Sequence, residues 1–276
     1  MTEGVVWIAV VLVMCGVLGL LIGSFLNVVV YRVPAGISLM RESRCPACEA
    51  PVRPWENVPI LSWLLLRGRC AHCGTAISAR YPLVESATGL AFVAVASWLV
   101  EIYGVAPTPF FWPVLVAHLY LAAVTVALAL IDLDTRRLPN SIVLPSYVVL
   151  FVLFVLACLL GASWEWLLRA AVGGGALFAF YWLLRLVRPG GMGGGDVKLA
   201  GVLGAALAWT GWGALVVGAF AAFVIGGVVG IVLMAVGRAT RKSAIPFGPY
   251  MLLGAWVGLF SGEQIARWYL GLVTVG

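Results

Sequence analysis

The chain has 276 residues, of which 63% are hydrophobic and only 10% are charged. Soluble globular proteins are about half apolar and about a quarter charged, so this composition excludes an ordinary soluble domain and indicates an integral membrane protein. The 17 basic residues outnumber the 11 acidic ones, but they form short clusters beside apolar runs, which argues against nucleic-acid binding.

Apolar runs of about 20 residues mark the candidate membrane spans. Eight are predicted, near residues 5–30, 82–101, 111–131, 141–161, 166–186, 197–211, 213–236 and 247–271. The first run is too long for the apolar part of a signal peptide and lacks a basic flank and a cleavage site, so we expect a retained span. The sequence therefore predicts an all-α polytopic membrane protein with about eight transmembrane helices.

The basic residues fall on one side of these spans. The loops after spans one, three, five and seven, with their flanking residues, hold 15 of the 17, and the last of these loops contributes Arg238, Arg241 and Lys242. The opposite side has only Arg169 and Arg267. The positive-inside rule then places the basic loops in the cytoplasm and both termini outside.

One segment, residues 32–81, breaks the apolar pattern. It holds seven of the 17 basic residues, four of the six Cys and five Pro. A segment of this size folds poorly on an apolar core alone and needs additional stabilisation, such as disulfides or a structural metal. We therefore expect a first helix at 1–31, a small cytoplasmic domain at 32–81 and a seven-helix membrane core at 82–276.

Four cysteines of this segment form two C-x-x-C pairs, Cys45 with Cys48 and Cys70 with Cys73. Two such pairs at this separation match the four-thiolate zinc pattern. The expected cytoplasmic location disfavours disulfides, although two disulfides or four unrelated thiols are the alternatives. Four protein ligands leave no open position, so the zinc would be structural, and His72 inside the second pair is not needed as a ligand.

Ionisable groups within a bilayer are costly and are functional candidates by default. Asp132 closes the third predicted span and Asp196 opens the sixth, and both ends lie on the same side of the membrane. Two close carboxylates there cannot both ionise easily, so one keeps its proton and the other its charge, as in aspartic proteases. The charged member can deprotonate an attacking water, and the protonated one can stabilise the oxyanion.

Two alternatives accompany this interpretation. Asp134 competes with Asp132, but residues two apart on a helix face different ways, and Asp132 lies deeper in the span. Asp196 could instead be a helix N-cap. Six Gly within residues 188–201 exceed what a cap needs and favour close approach of an extended backbone. Within the fifth span, Gly173, Gly174 and Gly175 are typical of close helix packing.

The sequence resembles the type 4 prepilin peptidases, bacterial members of the GxGD family of intramembrane aspartic proteases. The resemblance covers nearly the whole chain, and its motifs are GSFLNVVVYRVP at 23–34, the two cysteine pairs with WENVPILSWLLLRG between them, IDLDTRRLPN at 131–140, GGGD at 193–196 and AIPFGPYM at 244–251. A GxGD motif alone would be weak evidence for this family in a Gly-rich membrane protein. All of these motifs in the same order are specific evidence for it.

The resemblance implies that Asp132 and Asp196 are the two catalytic residues. It implies an enzyme of the bacterial inner membrane that removes the basic leader of type IV prepilins and pseudopilins at the cytoplasmic face. Members with the four-Cys domain typically also N-methylate the new N-terminus with S-adenosylmethionine, so methylation is implied here. No residues for methyl transfer follow from the sequence, although Glu56 and Glu85 are conceivable contributors, and the oligomeric state and the particular substrates are open.

Three rival functions remain at this point. One is a leader peptidase without methyltransferase activity. Another is an ion-coupled transporter with a zinc-bearing cytoplasmic domain, which would need a polar path to both faces. The third is a non-enzymatic assembly platform in which Asp196 only caps a helix.

Overall fold

The computed structural model describes residues 2–104, 108–188, 192–238, 240 and 245–274. Arg241 and Lys242 of the predicted basic loop, and part of the glycine-rich stretch before Asp196, lie outside these residues. The helices are α1 (Thr2–Arg32), α2 (Leu61–Leu65), α3 (Arg80–Tyr103), α4 (Phe111–Thr135), α5 (Asn140–Leu159), α6 (Trp164–Val187), α7 (Gly194–Thr210), α8 (Trp212–Ala235) and α9 (Gly248–Thr274). A 3₁₀ turn at Pro54–Asn57 precedes α2.

The all-α class predicted from composition is confirmed, since the described residues form helices and two isolated bridges but no strand. Each predicted span coincides with a helix. Six helices (α1, α3, α4, α5, α6 and α8) are long and apolar enough to cross a membrane. The other two are α7, with 17 residues, and α9, which carries Glu263 and Arg267. The count of eight spans therefore stays a prediction.

Contacts divide the chain into two compact units. The N-terminal unit comprises Met1–Phe111 with His118–Ala127, and the C-terminal unit comprises Trp112–Ala117 with Leu128–Gly276. The first contains α1 to α3, and the second contains α5 to α9 and the last turns of α4. The four-Cys segment belongs to the first unit, and both candidate aspartates belong to the second.

In the N-terminal unit, glycines bring α1 and α3 into direct backbone contact. A Cβ on Gly19 would lie 2.8 Å from the Gly89 Cα, and one on Gly23 would lie 2.7 Å from the Glu85 Cα. Helices in a bilayer gain little from apolar burial, so close van der Waals packing at small residues holds such a pair together.

The segment between α1 and α3 is attached to both helices by buried charged side chains. The Arg32 guanidinium, at the end of α1, donates to the carbonyl oxygens of Ser38 and Leu39 at 3.3 and 3.1 Å. The buried Glu85 of α3 accepts the Ile60 N–H at 2.7 Å. Because Ile60 has a φ of 61°, this hydrogen bond helps to hold a turn that a β-branched residue rarely adopts.

In the C-terminal unit, the expected role of the fifth-span glycines is confirmed at two of three positions. A Cβ on Gly173 would overlap the Ala208 Cβ of α7, and one on Gly174 would lie 3.0 Å from the Gly201 carbonyl oxygen. Around Gly175 nothing lies within 4 Å, so the packing prediction is wrong there. The same close packing joins α8 and α9, where a Cβ on Gly254 would meet the Ala222 backbone.

Candidate active site and metal centre

The two candidate aspartates lie at helix ends in the C-terminal unit. Asp132 is in the last turn of α4 and is 4% exposed, whereas Asp134 is exposed. Asp196 is in the first turn of α7 and is half-buried. The Asp132 carboxylate is near enough to act electrostatically on that of Asp196. The structure thus places the two aspartates within electrostatic range of each other and leaves Asp134 exposed.

A backbone N–H of α9 holds the Asp132 carboxylate. Gly248, the first residue of α9, donates its N–H to Asp132 Oδ2 at 3.1 Å. A Cβ on Gly248 would lie 2.6 Å from that oxygen, so only glycine allows this approach. Free N–H groups and the helix dipole make the N-terminus of α9 favourable for a negative charge.

Asp196 is held in a similar way by the start of its own helix. Its Oδ2 accepts the Gly193 N–H at 3.0 Å. Gly193 occupies the N-cap position and Asp196 the third helical position, where its side chain bonds back to the N-cap N–H. Asp196 is therefore not the N-cap itself, but it does help to cap the start of α7. Each aspartate therefore has one oxygen bonded to a backbone N–H at a helix N-terminus.

Leu138 separates the two helix N-termini that carry these bonds. A Cβ on Gly195 would lie 2.8 Å from the Leu138 Cβ, and one on Gly248 would lie 3.4 Å from its Cδ2. The chain reaches Leu138 through Arg136, whose φ is 54° and whose N–H donates to the Asp132 carbonyl oxygen at 2.8 Å. The turn after α4 therefore places Leu138 in contact with the first residues of both α7 and α9.

Contacts from α5 fix the first turns of α7. The Lys198 ammonium donates to Asn140 Oδ1 at 3.0 Å, and the Tyr147 hydroxyl donates to the Lys198 carbonyl oxygen at 2.6 Å. A Cβ on Gly201 would overlap the Tyr147 hydroxyl. These contacts join the LPN sequence to the helix that follows the glycine-rich stretch, and they explain why the two motifs belong to one site.

Aromatic side chains form an apolar wall beside Asp196. Tyr181 of α6 is 1% exposed, and the Asp196 carboxylate acts on it electrostatically. The Tyr181 ring lies 5.7 Å from that of Phe223 and 6.3 Å from that of Phe247, centroid to centroid. Since Phe247 directly precedes Gly248, this wall continues to the residue that holds Asp132. Such a wall limits water, which strengthens electrostatic interactions between the aspartates and a substrate.

Sequence reasoning missed Gly248, Leu138 and Tyr181. A search for ionisable groups in membrane spans finds carboxylates but passes over a glycine, a leucine and a buried tyrosine. The signal that could have found Gly248 was its place in IPFGPY, a run with two prolines and a glycine just before the last predicted span.

In the N-terminal unit, the four predicted metal ligands lie together. The Sγ atoms of Cys45, Cys48, Cys70 and Cys73 all lie within 4.8 Å of one another, and all four thiols are free. The Cys45 and Cys73 sulfurs are 3.8 Å apart. Four sulfurs bound tetrahedrally to zinc at about 2.3 Å are about 3.8 Å apart, so the cluster fits a structural zinc ion, and the disulfide alternative is wrong.

The two cysteine pairs have the same backbone geometry. Cys45 N–H donates to the Ala50 carbonyl oxygen at 2.9 Å, and Cys70 N–H donates to that of Thr75 at 2.8 Å. In each pair the residue four positions after the first cysteine has a positive φ, 58° at Glu49 and 72° at Gly74. Each turn thereby directs two sulfurs toward one point.

Hydrogen bonds favour the thiolate form of one cysteine in each pair. Bonds from the backbone N–H groups of Ala47 and Cys48 lower the pKa of Cys45. A hydrogen bond with the Thr75 hydroxyl, whose oxygen is 3.2 Å from Sγ, lowers the pKa of Cys73 to about 6. Thiolate is the form that binds zinc, so these contacts prepare the cluster for a cation.

The two glutamates that the sequence offered for methyl transfer have structural contacts. Glu56 accepts the Arg53 N–H at 3.1 Å, and its other oxygen lies 3.9 Å from His72 Nε2. Glu85 accepts the Ile60 N–H and is 6% exposed. Since His72 faces Glu56 and is not part of the metal cluster, the four-Cys ligand set needs no histidine.

Comparison with known proteins matches both units. Residues 17–99 match the model of the bacterial Peptidase A24 N-terminal domain, and residues 119–231 match that of the type IV leader peptidase family. Relatives named prepilin leader peptidase/N-methyltransferase include a Stutzerimonas stutzeri protein, 39% identical over 94% of this chain and 93% of the relative. Others come from Pseudomonas aeruginosa (37%, 94% and 93%) and Neisseria gonorrhoeae (37%, 93% and 94%). No solved structure gives a significant match.

Proposed function

This chain belongs to the type IV leader peptidase family, and from that membership we propose that it removes the leader of type IV prepilins and pseudopilins. Asp132 and Asp196 are the catalytic pair of the proposal. The observation that carries it is the pairing of a 4% exposed Asp132 with Asp196 at the N-termini of two helices.

The support for an acid–base pair is electrostatic. Two close carboxylates in a low-dielectric site share one proton between them. Gly248 and Gly193 each bond one carboxylate oxygen, which leaves the other oxygen of each aspartate for water and substrate. The shared proton therefore belongs to the pair, and substrate contacts decide which member carries it.

In the proposed reaction the ionised aspartate takes a proton from a water molecule, and the water oxygen attacks the scissile carbonyl carbon. The protonated aspartate donates to the developing oxyanion. As the C–N bond breaks, a proton passes to the leaving nitrogen, so the products are a leader carboxylate and a free amine. The two aspartates end in the protonation state in which they began.

The proposed site lies at the cytoplasmic face of the bacterial inner membrane. Both aspartates are at the membrane face that carries most of the basic residues in the sequence-based topology, which is the cytoplasmic face by the positive-inside rule. A prepilin with a basic leader and an apolar helix would present its scissile bond at this depth. The lipid bilayer and the prepilin are thus the proposed partners.

The second activity is N-methylation of the new N-terminal residue. Its support is the printed name of the relatives, prepilin leader peptidase/N-methyltransferase, together with a match to the N-terminal domain model over residues 17–99. S-adenosylmethionine is the methyl donor of the proposal. The zinc ion at the four cysteines would be structural, because four thiolates fill a tetrahedral site.

Purified protein in detergent, mixed with a prepilin, tests the aspartate pair. Wild type removes the leader, and Asp132→Asn and Asp196→Asn each lose cleavage by about 10⁴-fold or more, because the amide cannot exchange the proton. Asp134→Asn is the matched control two residues away, and it cuts at the wild-type rate because Asp134 is exposed. If an amide at 132 or 196 cut normally, the pair would have no catalytic role.

Of the rival functions, an ion-coupled transporter is not favoured, since both family models and the named relatives describe a peptidase. A second assay distinguishes a leader peptidase without methyltransferase activity from an enzyme with both activities. A labelled methyl group should pass from S-adenosylmethionine to the mature N-terminus in the wild type. Leader removal without any labelled product would leave only the peptidase.

A further inference from the structure

Four large apolar side chains within and just before α2 are exposed. Leu61, Leu64 and Leu65 of α2 are 58%, 57% and 82% exposed, and Trp55 of the 3₁₀ turn is 64% exposed. Because Leu61 lies three and four positions before the other two leucines, all three share one side of the helix, here called the leucine face. Exposed apolar clusters of this kind mark contacts with a protein or a membrane, so the leucine face needs a partner.

The other side of α2 is fixed to its own segment. Trp63 Nε1 donates to the Ile77 carbonyl oxygen at 3.1 Å. A Cβ on Gly68 would lie 2.8 Å from the Trp63 ring, and the Gly68 φ of 65° belongs to the left-handed region that favours glycine. The leucine face cannot turn inward without breaking these contacts, so it is a fixed outer surface.

The start of α2 is held against the side of α3. The Ile60 N–H donates to Glu85 Oε2 at 2.7 Å, and Glu85 lies five residues after Arg80, the first residue of α3, which is about 7.5 Å along a helix. With 24 residues, α3 is about 36 Å long, against a hydrocarbon core of about 30 Å. Even if all of that excess projected from this end of α3, Ile60 would lie at the boundary of the hydrocarbon core.

Contacts with α1 place the same stretch at a similar depth. Asn57 and Pro59 line a cavity together with Ser24, Phe25 and Val28 of α1. Since α1 ends at residue 32, these three residues lie about 6–12 Å before the end of the helix. Both α1 and α3 are long and apolar enough to span a membrane. Residues 57–60 therefore lie beside membrane-spanning parts of both helices, and α2 begins there.

Exposed arginines flank the leucine face in the sequence. Arg53 precedes the 3₁₀ turn, with its guanidinium 5.5 Å from the centroid of the Trp55 ring, and Arg67 and Arg69 follow α2. The ion pairs among the described residues do not include these three arginines. Glu56, the acidic residue between them, accepts the Arg53 N–H at 3.1 Å. Tryptophan and arginine beside apolar residues are typical of a membrane–water interface, where cations meet lipid phosphates.

We propose that residues 54–69 lie in the membrane–water interface, with the leucine face among the acyl chains and the three arginines at the phospholipid phosphates. A helix in this position buries its apolar side by about 5–10 Å. Because α2 has only five residues, its attachment to α1 and α3 keeps it in the membrane. Cys70 directly follows Arg69, so the four-Cys cluster is held beside the membrane surface. This placement is independent of the proposed peptidase activity.

The charges favour a bilayer over a protein partner on the leucine face. The arginines that flank it would repel the basic leader of a prepilin. A second copy of this chain would bring the same arginines to the contact. Phospholipid phosphates carry the opposite charge, and the acyl chains below them suit the leucines.

Photolabelling of the wild-type chain tests this placement without any substitution. The protein is placed in nanodiscs of phosphatidylcholine and phosphatidylglycerol, and mass spectrometry locates the label from a phospholipid with a diazirine in its acyl chain. Because an interfacial helix inserts about 5–10 Å, we expect label on the leucine face within about threefold of that on Val13, a 65% exposed residue of α1. A water-soluble diazirine should label residues 71–75 and spare the leucine face.

A matched pair of variants repeats the measurement. Leu64→Gln with Leu65→Gln should lower the acyl-chain label on residues 61–65 by about fivefold or more, because burial in the membrane favours leucine over glutamine. Val52→Gln, an exposed apolar position of the same segment outside residues 54–69, should leave this label within about twofold. Unchanged zinc content in both variants would show that the segment has folded.

Three results would overturn the proposal. The first is a leucine face in the wild type that only the water-soluble reagent labels. The second is an acyl-chain label on the double variant equal to that on the wild type. The third is loss of the acyl-chain label when a prepilin is added or when two copies share one nanodisc, since the leucine face would then be a protein contact.

Discussion

The two units each bury one charged residue in the last turn of a long helix, and they do so with opposite signs. Arg32, a cation, ends α1, where unsatisfied carbonyls and the helix dipole favour positive charge. Asp132, an anion, is in the last turn of α4, where the same dipole disfavours it. Arg32 therefore suits its own helix, whereas Asp132 relies on the N-terminus of a second helix through Gly248.

This difference separates a charge that builds the fold from one for which we propose a role in catalysis. The Arg32 guanidinium gathers the carbonyl oxygens of the segment that follows α1, so it organises local structure. Asp132 accepts a hydrogen bond from Gly248, 116 residues away, and that bond fixes the orientation of its carboxylate.

Loss of the predicted zinc site should have the largest effect, and it should affect the N-terminal unit alone. Cys45→Ser with Cys70→Ser should abolish zinc binding, and structural zinc sites contribute on the order of 10 kcal/mol to folding in isolated peptides. We expect residues 33–79 to become sensitive to protease while the C-terminal unit stays resistant. The measurement is zinc content together with the map of cleavage sites.

Cys158→Ser is the control, because Cys158 is a buried residue of α5 outside the cluster. It should retain the full zinc content. Zinc retained by the double variant, or cleavage spread evenly over the chain, would contradict a metal that supports only the N-terminal unit.

Gly248→Ala tests how the Asp132 carboxylate is positioned in the C-terminal unit. The added Cβ would lie 2.6 Å from Asp132 Oδ2, so the carboxylate must move, and a misplacement of about 1 Å costs about 100-fold in rate. Leader removal should fall by that factor, while zinc content stays unchanged, because the four-Cys cluster belongs to the other unit. Gly175→Ala, at a helix position with nothing within 4 Å, should cut at the wild-type rate. Equal rates in the two variants would show that Gly248 does not position Asp132.

The two sites differ in how far they could be predicted from the sequence. The cysteine cluster follows from local spacing, since each C-x-x-C turn directs its own two sulfurs, and the structure confirms that all four meet. The helix positions follow from the length of apolar runs. The catalytic role of Asp132 and Asp196 stays a prediction, although their electrostatic contact agrees with it.

What the sequence could not supply are contacts between distant helices. The sequence around Gly248 does not indicate that it contacts Asp132, and the sequence around Leu138 does not indicate that it contacts the start of α7. Both contacts depend on how α4, α7 and α9 pack. The glycines before Asp196 show the same limit. They were expected to give room for a substrate backbone. Gly195 packs against Leu138, whereas Gly190 and Gly191 lie outside the described residues, so that expectation stays a prediction. Small residues have several uses, and only packing decides among them.

Arg32→Met tests the cation by keeping the bulk of the side chain and removing its charge and donors. The carbonyl oxygens of Ser38, Leu39, Arg41 and Glu42 lose a shared partner, at a cost of about 1 kcal/mol for a typical hydrogen bond. We expect faster proteinase K cleavage within residues 38–43. Arg44→Met is the control, because Arg44 is exposed and its ion pair among the described residues is with Glu42 at 3.2 Å, and such surface pairs contribute little. Equal cleavage of the two variants would make Arg32 dispensable for this segment.

The smallest expected effect comes from Glu49→Gly in the first cysteine turn. Glu49 has a φ of 58°, whereas the equivalent position in the second turn is a glycine with a φ of 72°. A left-handed conformation costs a non-glycine residue about 1–2 kcal/mol, and the greater freedom of glycine in the unfolded chain offsets part of the gain. Zinc affinity, measured by competition with a chelator, should therefore rise about threefold to fivefold, since about 1 kcal/mol corresponds to about fivefold. Glu42→Gly, at an exposed position without a positive φ, should give no rise, and an equal effect of both changes would mean that Glu49 stores no strain.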